Sequence, residues 1–89
     1  MNGTYLEVTY CRGRVFAAYF YLSRKDGDRS ARCERAEHGM VVDFAPDGRP
    51  IGIEITAPGS VTLERVNRVL GRLEHAPLDE QEFAPLVAA

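Results

Sequence analysis

Asp43 and Glu54 are the residues whose types and spacing come nearest to chemistry. They lie in residues 40–56 (MVVDFAPDGRPIGIEIT), where two alternating apolar runs flank Asp47-Gly48. That dipeptide is the strongest short signal of a tight β-hairpin. A two-residue turn there puts both carboxylates on one face of adjacent strands, offset diagonally. Such a pair can do acid–base work or hold a hard cation. A solvated sheet face, or ion pairs to Arg32 or Arg35 on the preceding strand, is the commoner use of carboxylates so placed. Nucleophilic catalysis needs a serine or cysteine beside a histidine that a carboxylate holds. Nothing in the spacing brings His38, in a turn, or His75, at a helix end, to Cys11 or Cys33. His75 suits a helix C-terminus, where a cation is favoured. No CxxC, HxxxH or HxH spacing offers metal ligands, and Gly48 and Gly52 precede no helix, as a phosphate cradle would require. The expectation is a protein that is not an enzyme, with no catalytic residue, cofactor or metal.

Aromatic and basic residues point to binding instead. Residues 12–35 carry seven basic and three acidic side chains, whereas residues 74–89 carry Glu74, Asp79, Glu80 and Glu82 with no lysine or arginine. Tyr5, Tyr19 and Tyr21 beside arginines on a sheet face could stack bases. The net charge of −2 and the lack of a recognised RNA-binding motif make core or interface duty the stronger reading, so nucleic acid is not an expected partner. Tyrosine and arginine are enriched in protein interfaces. Tyr19, Tyr21 and Phe83 are the candidate interface residues.

These groups are positioned by elements that alternation reveals. The hairpin closed by Asp47 and Gly48 pairs Pro46 with Arg49, Phe44 with Ile51, Val42 with Ile53 and Met40 with Ile55, all six outer partners on one apolar face. Val41, Asp43, Gly52 and Glu54 take the other face. Upstream, residues 4–10 alternate as strand one, with Leu6, Val8 and Tyr10 opposite Tyr5, Glu7 and Thr9. Cys11-Arg12-Gly13-Arg14 turns into residues 15–22, apolar on both sides. Phe16, Ala18, Phe20 and Leu22 share one face, and Val15, Ala17, Tyr19 and Tyr21 the other. A strand of that kind is covered twice, here by a helix and by a partner subunit. Residues 24–28 (RKDGD) turn into a charged third strand, residues 29–37, with Ala31 and Cys33 inward, Cys33 as a small buried filler. His38-Gly39 then leads into the hairpin. Ser60 or Thr62 caps a helix whose apolar stripe is Leu63, Val66, Val69, Leu70 and Leu73. Glu64 and Arg68 pair on its outer face. Gly71 marks either close packing or a fraying end, and Pro77 stops the helix. One helical turn over residues 79–83, or a loose tail, completes the chain.

Residues 41–55 (VVDFAPDGRPIGIEI) also resemble a segment of a bacterial family called domain of unknown function 2283, and LEVTYCRGRVFAAYFYLS resembles that family's first hairpin. The likeness runs from Leu6 to Thr56, and Gly52-Ile53-Glu54-Ile55 is its most specific part. Cys11-Arg12-Gly13-Arg14 replaces the family's acidic first turn, and the segment after Glu74 lies outside the pattern. The resemblance implies the fold and supplies no activity.

The fold class expected is α+β, an antiparallel meander of about five strands packed by one C-terminal helix. Residues 1–75 form the domain and residues 76–89 an acidic tail. Eighty-nine residues bury about 60–65 % of the unfolded surface. No apolar run approaches the ~18 residues of a membrane span, and the first residues lack a signal-peptide pattern. The expectation is a cytoplasmic protein with reduced cysteines. The function that fits is a small bacterial interaction module, a homodimer. One alternative is an antitoxin-like or regulatory partner of another small protein. The other is a small-ligand or metal-binding module using Asp43 and Glu54.

Overall fold

The computed structural model describes residues 5–23 and 25–86. Thr4 of the expected first strand, Arg24 of the second turn and residues 87–89 of the tail lie outside the described residues. Five strands, β1 (Tyr5–Cys11), β2 (Arg14–Tyr21), β3 (Arg32–Glu37), β4 (Met40–Phe44) and β5 (Pro50–Ile55), form one antiparallel sheet. Helix α1 (Leu63–Arg72) and the single turn α2 (Glu80–Phe83) follow. The α+β class therefore stands as the apolar patterning predicts. The order across the sheet is β1-β2-β5-β4-β3. The meander holds within β1-β2 and within β3-β4-β5, while the connection from β2 passes β5 and β4 to start β3 at the far edge. Arg49 anchors that connection: its Nη1 and Nη2 donate to the Asp28 carboxylate at 3.1 and 2.9 Å, and its Nε donates to Asp47 at 3.1 Å.

The β4–β5 hairpin keeps Met40 opposite Ile55 and Val42 opposite Ile53, as expected. Its turn differs. Gly48 N–H donates to the Ala45 carbonyl and Ala45 N–H to the Arg49 carbonyl, which closes a three-residue loop of Pro46, Asp47 and Gly48. Proline's fixed φ suits the second position of a type I turn, and Gly48, at φ +90°, supplies the left-handed residue that rejoins the strand. Asp47 does not adopt the positive φ that a two-residue turn demands. The consequence is a register shift: Asp43 faces Gly52 but Phe44 faces Pro50, so Ile51 becomes the extra residue of β5, and it is fully buried.

Two further shifts correct the strand readings. In β1–β2, Thr9 faces Ala17 and Tyr10 faces Val15, so Phe16 has no opposite residue. A bulge of this sort resets the alternation. Val15 packs against the core and Phe16 is 65 % exposed, not buried beside Ala18. In β3, Arg35 faces Val41 and Glu37 faces Met40, which leaves Ala36 as the extra residue. Ala36 packs against the core, whereas Ala31 and Cys33, expected inside, are exposed. β3 is an edge strand, and its charged alternation is a common guard against edge pairing.

One face of the sheet carries Leu6, Val8, Ala18, Phe20, Met40, Val42, Ile53 and Ile55 against Val66, Val69 and Leu70 of α1. Thr62 caps α1, its Oγ1 accepting from Arg65 N–H at 3.2 Å. Gly71 is exposed, with open space where a Cβ would stand, so close packing does not retain it. Gly71→Ala is expected to raise stability by about 0.5–1 kcal/mol, read as an upward shift of the thermal midpoint.

The segment after Pro77 is part of the core, which corrects the division at residue 75. Leu78, Phe83 and Leu86 are buried in the same cluster as the sheet and α1. Asn67 fixes the approach: its Nδ2 donates to the Leu78 carbonyl at 3.0 Å and its Oδ1 accepts from Leu78 N–H at 2.8 Å. Asp79 and Glu82 form a reciprocal capping box that starts α2.

Candidate functional site

The side of the sheet away from α1 is covered by no helix among the described residues. Strand register writes its composition. Tyr5, Tyr21, Gly52, Asp43 and Cys33 form one row across β1, β2, β5, β4 and β3, and Glu7, Tyr19, Glu54, Val41 and Arg35 form the next. The tyrosines are ordered by contact. Tyr5 and Tyr21 stack with ring centroids 4.3 Å apart and planes 16° from parallel. Tyr19 and Tyr21 meet at 4.7 Å and 58°. Such aromatic pairs add about 0.5–1.5 kcal/mol beyond their burial. Tyr19 Oη donates to Asp43 Oδ2 at 2.7 Å, and Tyr21 Oη to Glu7 Oε1 at 3.4 Å.

Gly52 makes this arrangement possible. The hydroxyl end of the Tyr19 ring occupies the volume that a side chain at residue 52 would fill. Gly52 was legible only as a member of this face. What hints at its role is that glycine is disfavoured inside a strand, so its presence signals a close approach.

Asp43 and Glu54 sit on this face with the diagonal offset expected, since Asp43 faces Gly52 and Glu54 faces Val41. The Asp43 carboxylate holds the Tyr19 hydroxyl. Glu54 is exposed, and among the described residues neither acid pairs with Arg32 or Arg35. Arg32 instead pairs with Glu34 and lies over the Phe44 ring at 4.2 Å. Among the described residues no group of three or more His, Cys, Asp or Glu side chains is placed to hold a metal ion.

The remaining candidates separate. Tyr19 and Tyr21 are adjacent and half-buried on the open face. Phe83, expected with them, lies on the opposite side of the sheet and is only 6 % exposed, so its ring fills the chain's own core and is not presented to a partner. Cys11 and Cys33 are exposed on opposite edge strands. His38 is exposed, and its carbonyl accepts from Arg65 Nη2 at 3.0 Å. His75 packs edge-on against Phe20, and its backbone N–H donates to the Leu70 carbonyl at the end of α1.

Sequence reading misses one cluster altogether. The bulge at Ala36 turns Glu37 to the helix side, where Arg65, Arg68 and Arg72 of α1 converge on its carboxylate at 3.3, 3.3 and 3.5 Å. Arg65 also donates to the Ser60 carbonyl. Burial pushes the Glu37 carboxyl up, but the Arg65 hydrogen bond and the charges of Arg68 and Arg72 outweigh it and hold it below the ordinary 4.5. A depressed carboxyl contributes stability that is present above its unfolded value and is lost as pH falls through the folded one. The thermal midpoint of the protein is therefore expected to exceed that of Glu37→Gln at pH 7, with the gap closing below about pH 4.5. A gap unchanged down to pH 3 contradicts the clamp.

Comparison with protein-family models, with curated proteins and with solved structures finds no match to this chain.

Proposed function

We propose that this chain is a non-enzymatic interaction module that self-associates through the uncovered sheet face, with Tyr5, Tyr19 and Tyr21 at the centre of the contact. The observation that carries the reading is the tyrosine trio itself, three rings already fixed by one another, by Asp43 and by Glu7 on a face that no helix covers among the described residues. Side chains ordered before association lose little entropy when they bind, and tyrosine supplies large contact area with few rotatable bonds. Glu7, Asp43 and Glu54 stand around the rings, with Arg35 at the far edge of the same face, and give the polar groups that fix orientation between copies. The apolar helix-facing side is consumed by the fold, which leaves this face for a partner.

Light scattering over a concentration series tests it. The expected mass is twice that of the 9.9 kDa chain, and Tyr21→Ser lowers it toward one chain while the fold persists. A mass of one chain up to millimolar concentration overturns the reading.

A further inference from the structure

We infer that the cleft beside the β1–β2 turn binds a small organic oxyanion, a carboxylate or phosphate ester carrying an apolar group. The cleft measures about 580 Å³ and is lined by Arg12, Gly13, Arg14, Val15, Pro58, Gly59 and Leu86. That volume falls within the ~300–1,000 Å³ usual for small-molecule sites. It lies at the end of the sheet and is separate from the tyrosine face.

Charge makes the chemistry specific. Arg32, Arg49, Arg65, Arg68 and Arg72 each pair with a carboxylate. Arg12 and Arg14, like Arg29 and Arg35, have no such pairing among the described residues, and what sets Arg12 and Arg14 apart is that both come from one turn and line one cleft. The planar guanidinium fork matches carboxylate and phosphate oxygens two at a time. Val15, Pro58 and Leu86 supply an apolar wall for the remainder of the ligand. Gly13 and Gly59 leave open space where side chains would narrow the cleft.

Arg12 also carries a cost that the fold does not explain. Its φ is +54° and that of Gly13 is +79°, the geometry of a two-residue hairpin turn that favours asparagine or glycine at the first position. A left-handed conformation disfavours any side chain that carries a Cβ. A residue held in such a conformation without a local partner is the pattern of a site where binding, not folding, selects the side chain.

The test follows from that conflict. Phenyl phosphate, benzoate and inorganic phosphate are titrated separately into the full chain while backbone amide shifts are followed by NMR. Saturable shifts at Gly13, Val15 and Gly59 are expected with phenyl phosphate or benzoate, the stronger naming the preferred anion, and inorganic phosphate should bind at least tenfold more weakly. Arg12→Asn, which suits the turn and should raise the thermal midpoint, is expected to weaken binding about tenfold or more, the loss of one charge-assisted contact. Arg14→Gln should do the same. No saturable shift with either organic probe, equal binding by inorganic phosphate, or undiminished affinity in both variants overturns the inference.

Discussion

Phe83→Ala is expected to destabilise the protein by about 3–5 kcal/mol, the cost of emptying a buried phenylalanine site. The ring is 6 % exposed and packs in the cluster that joins the sheet to α1. An 89-residue chain has about 5–13 kcal/mol in total, so the loss takes a large share. At about 4–8 °C per kcal/mol the thermal midpoint should fall by more than 10 °C. The measurement also discriminates between two roles. A partner-facing phenylalanine would lower association and leave the midpoint of the single chain alone. A core phenylalanine lowers the midpoint and leaves the association constant of the folded protein unchanged. Phe83→Leu keeps the question answerable if the alanine variant does not fold, because it retains most of the volume and shifts the same quantity by less. The Asn67–Leu78 amide pair should act in concert, since it holds the chain where Phe83 enters the core.

That role was within reach of the sequence and was obscured by periodicity. Leu78 buries itself from the connection before α2, and Phe83 and Leu86 from one helical turn and a 3₁₀ turn, too short to print a stripe of three- and four-residue spacing. The readable signal was Asp79 followed three residues later by Glu82, a capping box in an otherwise loose-looking tail. The strands and α1 were legible because burial on one side forces alternation or a helical stripe, and those repeats survive over several residues. Single-residue phase shifts were not. Nothing in residue type marks Phe16, Ala36 or Ile51 as the extra residue of its strand, yet each shift re-aims its neighbours. The one at Phe16 puts a large ring in solvent, and the one at Ala36 delivers Glu37 to three arginines. The crossing from β2 to β3 was hidden for a related reason. Short connections favour neighbours, but residues 22–31 are long enough to cross the sheet end, and the Asp28–Arg49 pair that fixes the crossing joins residues 21 positions apart. On the candidate site, register alone put Tyr19, Tyr21, Asp43 and Glu54 on one face, while the ring over Gly52 needed coordinates.

Gly52→Ala is expected to disrupt the tyrosine face more than any other single-methyl change. The added Cβ would stand closer than 3.0 Å to Tyr19 Oη, Cε1 and Cζ, nearer than real Cβ atoms approach. The clash lies with the far end of a side chain, but that ring is not free to yield. Asp43 holds its hydroxyl at 2.7 Å, and Tyr21 packs against it at 4.7 Å. Overpacking at such a site costs about 1–3 kcal/mol, and the displaced ring releases the Asp43 carboxylate. Two readouts should move together: a lower thermal midpoint and weaker self-association. Tyr19→Phe separates the contributions, since it keeps the ring over Gly52 and removes only the hydroxyl, a charge-assisted bond of about 1.5–3 kcal/mol when its partner loses compensation. The decisive comparison is a double-mutant cycle. In a Tyr19→Ala background the volume above residue 52 is vacant, so Gly52→Ala should be neutral or stabilising, because alanine outranks glycine inside a strand. Coupling between contacting residues of about 0.5–3 kcal/mol is then expected. Strictly additive effects of Gly52→Ala and Tyr19→Ala would mean that the ring does not rest on Gly52, and the ordered tyrosine platform, with the association built on it, would fall together.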